Sequence, residues 1–186
     1  MTKDTKNPFE EITTECKPIF KGKIISLDVE TVRLPNGESA TREIVRHPGA
    51  VCVLAILDGK LLVVEQYRKA LGKNLVEIPA GKLEPGEDPL EAAKRELEEE
   101  TGYSCGSMRK LFTFYTAPGF CDEKIHLYLA EHLQAGEAHP DEDEFLEIMS
   151  LTPEEAERFI AEGRIEDAKT IMAVQAWQVS RLTGSF

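Results

Sequence analysis

Four glutamates crowd into a five-residue stretch of this chain directly after Arg95, and three of them, Glu96, Glu99 and Glu100, would share one flank of a helix. On a helix turning about 100° per residue, Glu96 and Glu100 lie about 40° apart, and Glu99 about 60° from Glu96. Like charges at that spacing repel by roughly 0.2–0.5 kcal/mol per pair. A sequence shaped for stability alone would interleave lysines. Such a stripe suits a hard divalent cation, because magnesium needs one or two carboxylates per ion beside waters and phosphate oxygens. The competing reading is a solvated acidic helix face. The residues around it favour the chemical one, since they stand in one long spaced pattern: Gly81-x5-Glu87-x7-Arg95-Glu96-Leu97-x-Glu99-Glu100-x-Gly102-Tyr103.

A helix must carry that stripe, and its signals are local. Asp88 is an N-cap, Pro89 fits the first helical position, and Glu91 completes a capping-box pattern. Gly102 sits where a left-handed stop is wanted. Leu90, Ala93 and Leu97 recur at helical spacing as the apolar stripe.

The other elements follow from the same kind of reading. Residues 23–34 and 40–45 are strand-like around a Pro35-Asn36-Gly37-Glu38 turn. Residues 51–57 and 61–66 form a hairpin about Asp58-Gly59. Short strands are expected at 75–79, 110–116, 124–130 and 145–151. Thr152-Pro153 with Glu155 opens a second helix that Gly163 ends. A last helix over about 166–182 is expected to bury Ala168, Ile171, Met172, Val179 and Leu182. Strands mixed with a few helices indicate an α+β or mixed-sheet sandwich. Residues 1–48 would be a small N-terminal antiparallel β-sheet region and 49–186 the main domain. A three-stranded sheet with little core must pack on something.

Composition bounds the partners. With 22 basic and 34 acidic residues the formal net charge is −12, which argues against a phosphate-binding nucleic-acid surface. A phosphate substrate would need cations between itself and this acidic chain. No run reaches the roughly 18 apolar residues of a membrane span, and the N-terminus lacks a signal peptide's apolar stretch. Cys16, Cys52, Cys105 and Cys121 are widely spaced, as free thiols in a reducing compartment would be. The expected location is cytoplasmic. His47 and His126 stand alone and fit packing roles.

The segment from Gly81 to Tyr103 resembles the signature box of the Nudix hydrolases, with every fixed position filled. The likeness extends to TREIVRHPGAV (41–51), EQYR (65–68), VEIPAGKLE (76–84) and FYTAPGFCDEKIHLYLA (114–130), and to Pro118, sixteen residues after Gly102. These resemble the ADP-ribose pyrophosphatase branch and cover roughly residues 18 to 180. The resemblance implies a Nudix α/β/α sandwich with a mixed sheet, preceded by the N-terminal sheet. It implies divalent-metal-dependent hydrolysis of the pyrophosphate bond of ADP-ribose to AMP and ribose 5-phosphate. The substrate would be a small nucleoside diphosphate molecule. Two or more Mg2+ ions would be bound, with Mn2+ as a substitute. Branch relatives form dimers that share the N-terminal sheet, so a homodimer is expected.

Residue by residue, the resemblance implies metal ligation by Glu96, Glu100, Glu99 and the Ala80 carbonyl. It places a catalytic glutamate in the acidic loop, at Glu144 or Glu142, with Glu99 supporting. Arg68 would contact the substrate's phosphates, and Arg42 and Arg46, in the N-terminal sheet, would reach a neighbouring subunit's ligand. Arg95 and Glu87 would hold the loop or a neighbouring carboxylate. The chain departs from the pattern at Ile24, where some relatives stack adenine on a tryptophan, so pyrophosphate recognition is better supported than adenine recognition. Hydrolysis of another nucleotide-sugar or nucleoside diphosphate derivative is the near alternative, and a non-catalytic Nudix-like binding module the distant one.

Overall fold

The computed structural model describes residues 7–139 and 145–186. It divides into two compact units. The first runs to Pro48 and includes Tyr115–Glu123; the second comprises Gly49–Phe114 and Lys124–Phe186. The segment Tyr115–Glu123 thus clusters with the N-terminal residues, not with the 49–186 stretch that contains it in sequence.

The first unit is an antiparallel sheet of β1 (Ile12–Lys21), β2 (Ser26–Arg33) and β3 (Ser39–Arg46), in that order. β1 pairs from Ile12↔Arg33 to Lys21↔Ser26. Tyr115–Glu123 docks beside β3, where Val45 N–H donates to the Phe120 carbonyl at 2.7 Å and Asp122 N–H to the Val45 carbonyl at 3.1 Å. Every residue of β1 is exposed. A strand exposed on both faces has no apolar alternation, and the sequence reading did not locate it.

The second unit holds β4 (Ala50–Leu57), β5 (Lys60–Arg68), β6 (Lys73–Glu77), β7 (Ala80–Lys82), β8 (Tyr103–Tyr115), β9 (Lys124–Ala135) and β10 (Leu146–Leu151). The last residue of β8 belongs to the first unit. The sheet order is β10-β5-β4-β9-β8, with β6 on β5 and β7 on β4. β4 and β9 run parallel while β5 is antiparallel to both β10 and β6, so the sheet is mixed, as expected. Three helices complete the unit: α1 (Pro89–Thr101), α2 (Pro153–Ala161) and α3 (Ala168–Thr183).

Strand alternation splits the core into two layers. Cys52 and Leu54 of β4, with Leu61, Val63, Leu127 and Leu129, face Ala173, Val174 and Trp177 of α3 and Phe159 of α2. Val51, Val53 and Ala55 face the other way, onto Ala92, Ala93 and Leu97 of α1. The result is an α+β, helix–sheet–helix sandwich.

The face of α3 differs from the expected one. Its buried residues are Thr170, Ala173, Val174, Trp177 and Ser180, whereas Val179 is 55% and Leu182 88% exposed. Trp177 has the largest apolar surface to hide, and it sets the rotation of the helix. The two hydroxyls on that face are satisfied: Ile78 N–H donates to Thr170 Oγ1 at 2.9 Å, and Ser180 Oγ donates to the Trp177 carbonyl at 2.8 Å. A hydropathy count scores such positions as polar and so shifts the face. Among the described residues no helix is long and apolar enough to cross a membrane.

Candidate active site

The site is built where α1 meets the loop between β6 and β7. Asp88 caps α1, accepting from Leu90 N–H at 2.9 Å and Glu91 N–H at 3.3 Å. The Glu91 carboxylate pairs with Lys94 at 2.8 Å, so the sequence's capping box forms only on the Asp88 side. At the other end Gly102 has φ 73° and donates to the Glu98 carbonyl at 2.8 Å. These two fixed ends set which residues of α1 face the sheet.

Leu97 is buried in the core, and Glu96 and Glu100 flank it. Glu100 is 1% exposed, and its carboxylate accepts from Ala80 N–H at 3.0 Å. Glu96 lies against the bare backbone of Gly81: a Cβ there would sit 1.9 Å from the Glu96 carboxyl carbon. Position 81 must therefore be glycine if Glu96 is to reach the loop. The loop is tied to the sheet by Val53 N–H donating to the Pro79 carbonyl at 2.9 Å, and by the β4–β7 pairing Cys52↔Ala80. Ala80, at the strand end, is thus brought together with Glu96 and Glu100 on the helix.

Arg95 is the organiser that its place in the helix suggested. Its Nε and Nη2 bind Glu87 at 3.0 and 3.1 Å, and its Nη1 binds Glu96 and Glu99 at 2.8 Å each. The hydrogen bonds from Arg95 hold the Glu87 carboxyl below the usual carboxylate range. Glu87 also accepts from Glu84 N–H at 3.0 Å and so anchors the loop ahead of the helix. One guanidinium spans three carboxylates here, which offsets the like-charge repulsion along the stripe. Among the described residues, no three His, Cys, Asp or Glu side chains converge on one point as ion ligands.

Arg68, at the end of β5, is held by Glu77 through Nε at 2.6 Å and Nη2 at 2.8 Å. Glu77 is 1% exposed and also receives Lys169, whose ammonium lies 3.0 Å from Asp167, the N-cap of α3. Burial pushes the Glu77 carboxyl up, but Arg68 and Lys169 more than offset it and leave it below its ordinary value. The sequence reading passed over Glu77, Lys169 and Thr170. A glutamate directly after Leu75-Val76 at the end of an apolar strand was the available signal; Lys169 offered none.

In the first unit, Arg42 pairs with Glu11. Arg46 pairs with Glu30 at 2.6 Å and Asp122 at 3.2 Å. Both arginines line a cleft of about 490 Å³ with Pro118, Phe120 and Tyr115. Ile24 is 51% exposed. Glu142 and Glu144 lie outside the described residues. In the second unit a groove of about 690 Å³ is lined by Glu65, Tyr67, Asn74 and Phe145.

Comparison with known proteins places these features in a wider set. The model of the NUDIX domain matches residues 46–174. A methanol dehydrogenase activator of Bacillus methanolicus is 56% identical over 92% of this chain and 94% of its own. An ADP-ribose pyrophosphatase of Bacillus subtilis is 52% identical over 91% of this chain and 94% of its own. A crystal structure of an ADP compounds hydrolase superposes with a TM-score of 0.83 over 97% of this chain and 98% of the other, at 20% identity.

Proposed function

This chain belongs to the NUDIX family of hydrolases, and from that membership we propose that it cleaves the diphosphate of ADP-ribose to AMP and ribose 5-phosphate. The observation that carries the reading is the convergence of Glu96 and Glu100 on Ala80 and Gly81, where an added methyl group would collide with Glu96 at 1.9 Å. A stability-driven fold has no use for two helix carboxylates pressed against a main-chain loop. The relative named ADP-ribose pyrophosphatase supports the choice of substrate.

NUDIX hydrolases generally use divalent metal ions, and the donors here fit one: all are hard oxygens, and Gly81 leaves room for a carboxylate beside the backbone. Glu96, Glu100, Glu99 and the Ala80 carbonyl would hold it. Such a group, magnesium as two or more ions with manganese as a substitute, would supply charge neutralisation at the phosphate oxygens and would acidify water. The chain's own groups do the rest. Arg95 keeps Glu96 and Glu99 in place. Arg68 binds a phosphate. Glu144, or else Glu142, takes the proton of the attacking water as the bridging P–O bond breaks. Arg42 and Arg46 would reach a neighbouring subunit's ligand from the N-terminal sheet, which would also mediate a homodimer. The four cysteines are free thiols, which supports a reducing, cytoplasmic location.

Turnover of a panel of diphosphate compounds, with and without magnesium, tests this reading. ADP-ribose should be the preferred compound and chelation should abolish its cleavage. Preference for another nucleotide-sugar would move the substrate, and tight binding without cleavage would leave only a binding module. The 56% identical activator favours a second role, activation of an alcohol dehydrogenase. Adding the protein to methanol dehydrogenase should then raise its rate, and an unchanged rate would remove that role.

A further inference from the structure

We propose that Glu77 and Lys169 are positioning residues that present Arg68 to the substrate's diphosphate; the inference rests on the hydrolase reading above. Glu77 closes β6 inside the core, with its side chain 2% exposed, while the side chain of Arg68 is 40% exposed. The two Arg68–Glu77 bonds use Nε and Nη2. Together they fix the plane of the guanidinium, and Nη1 takes no part in them. A carboxylate at the base and a half-exposed cation at the tip form a fork that opens outward. Its base, Glu77, stands three residues before Ala80, whose N–H donates to Glu100 at 3.0 Å.

Lys169 gives the fork its charge balance. A buried carboxylate shared with a single cation would neutralise that cation almost fully. Lys169, with its side chain 12% exposed, binds the same Glu77 oxygen that Arg68 Nη2 binds. The four groups, Arg68, Lys169, Glu77 and Asp167, sum to zero. Removing Lys169 makes the cluster negative, and Arg68 then serves the interior instead of an anion. The same first turn of α3 also holds the site loop, because Thr170 accepts from Ile78 N–H at 2.9 Å, two residues before Ala80. A merely structural ion pair would have no reason to leave one partner half exposed.

Steady-state kinetics on ADP-ribose in a double-mutant cycle test the proposal. Lys169→Met should raise KM about tenfold with kcat within about twofold. In an Arg68→Ala background the same change should move KM less than about twofold, because its effect passes through Arg68. A wild-type KM in Lys169→Met, or an equal rise in both backgrounds, would overturn the proposal. Should Lys169→Met fail to fold, the charge-neutral pair Glu77→Gln with Lys169→Met keeps the test open. It should melt near the wild type yet retain a raised KM, and a wild-type KM there is equally fatal. No wild-type turnover of any diphosphate would sink the hydrolase reading and this inference with it. Normal turnover with unmoved KM values sinks the inference alone.

Discussion

Glu96 and Glu100 owe their positions to different neighbours, and substitutions should separate them. Gly81→Ala leaves every carboxylate in the sequence but puts a methyl group 1.9 Å from the Glu96 carboxyl carbon. We expect it to weaken magnesium affinity, read by calorimetry, and to lower kcat/KM by about tenfold or more. Its melting temperature should fall only slightly, since the displaced group is a side-chain end. Glu100→Gln keeps the shape and an acceptor for Ala80 N–H but removes a charge. It should cost about a hundredfold in kcat/KM while the fold survives. Wild-type rates in Glu100→Gln would remove this residue from the proposed metal site.

At the level of elements, α1 depends on its two ends. Gly102 adopts φ 73°, and a Cβ there would lie 2.7 Å from Ala138 N and 2.9 Å from the Glu137 carbonyl carbon. Gly102→Ala should therefore destabilise the protein by about 1–2 kcal/mol from the left-handed conformation alone, with more from the contact. Urea denaturation measures this, and an unchanged midpoint would show that the helix end can relax. Asp88, Pro89 and Gly102 made this helix legible in the sequence, because caps act within a few residues. Spacing likewise made Glu96 and Glu100 legible as neighbours. The face of α3 was not legible, since Thr170 and Ser180 turn inward only because Ile78 N–H and the Trp177 carbonyl meet them. Glu77 and Lys169 stand 92 residues apart, and their pairing exists only once β6 and α3 have packed. β1 escaped because a strand exposed at every position carries no hydrophobic period.

For the whole molecule, acid stability and assembly are the two quantities these observations govern. His126 is partly buried in β9, its Nδ1 has no hydrogen-bond partner among the described residues, and burial pushes its pKa down, with Lys124 and Lys110 adding to the effect. A histidine depressed in the folded state binds fewer protons there than in the unfolded chain. Its contribution is therefore complete above the unfolded value of 6.5 and declines as pH falls from there through the folded pKa. His126→Phe should flatten the fall of the denaturation midpoint as pH drops below about 6.5, and parallel pH curves for the two proteins would contradict it. Assembly follows from the first unit. Among its described residues Val32 is the one buried hydrophobic side chain, while Ile12, Ile19, Phe20, Ile24 and Ile25 are 39–55% exposed. A three-stranded sheet needs a covered apolar face for stability, and a second copy of the chain would supply one. Light scattering should then give twice the 20.8 kDa chain mass. The double variant Ile19→Glu, Phe20→Glu should shift it toward the single mass with the core of the second unit still folded. A single-chain mass for the unaltered protein at micromolar concentration would leave that sheet to be covered by something other than its own copy.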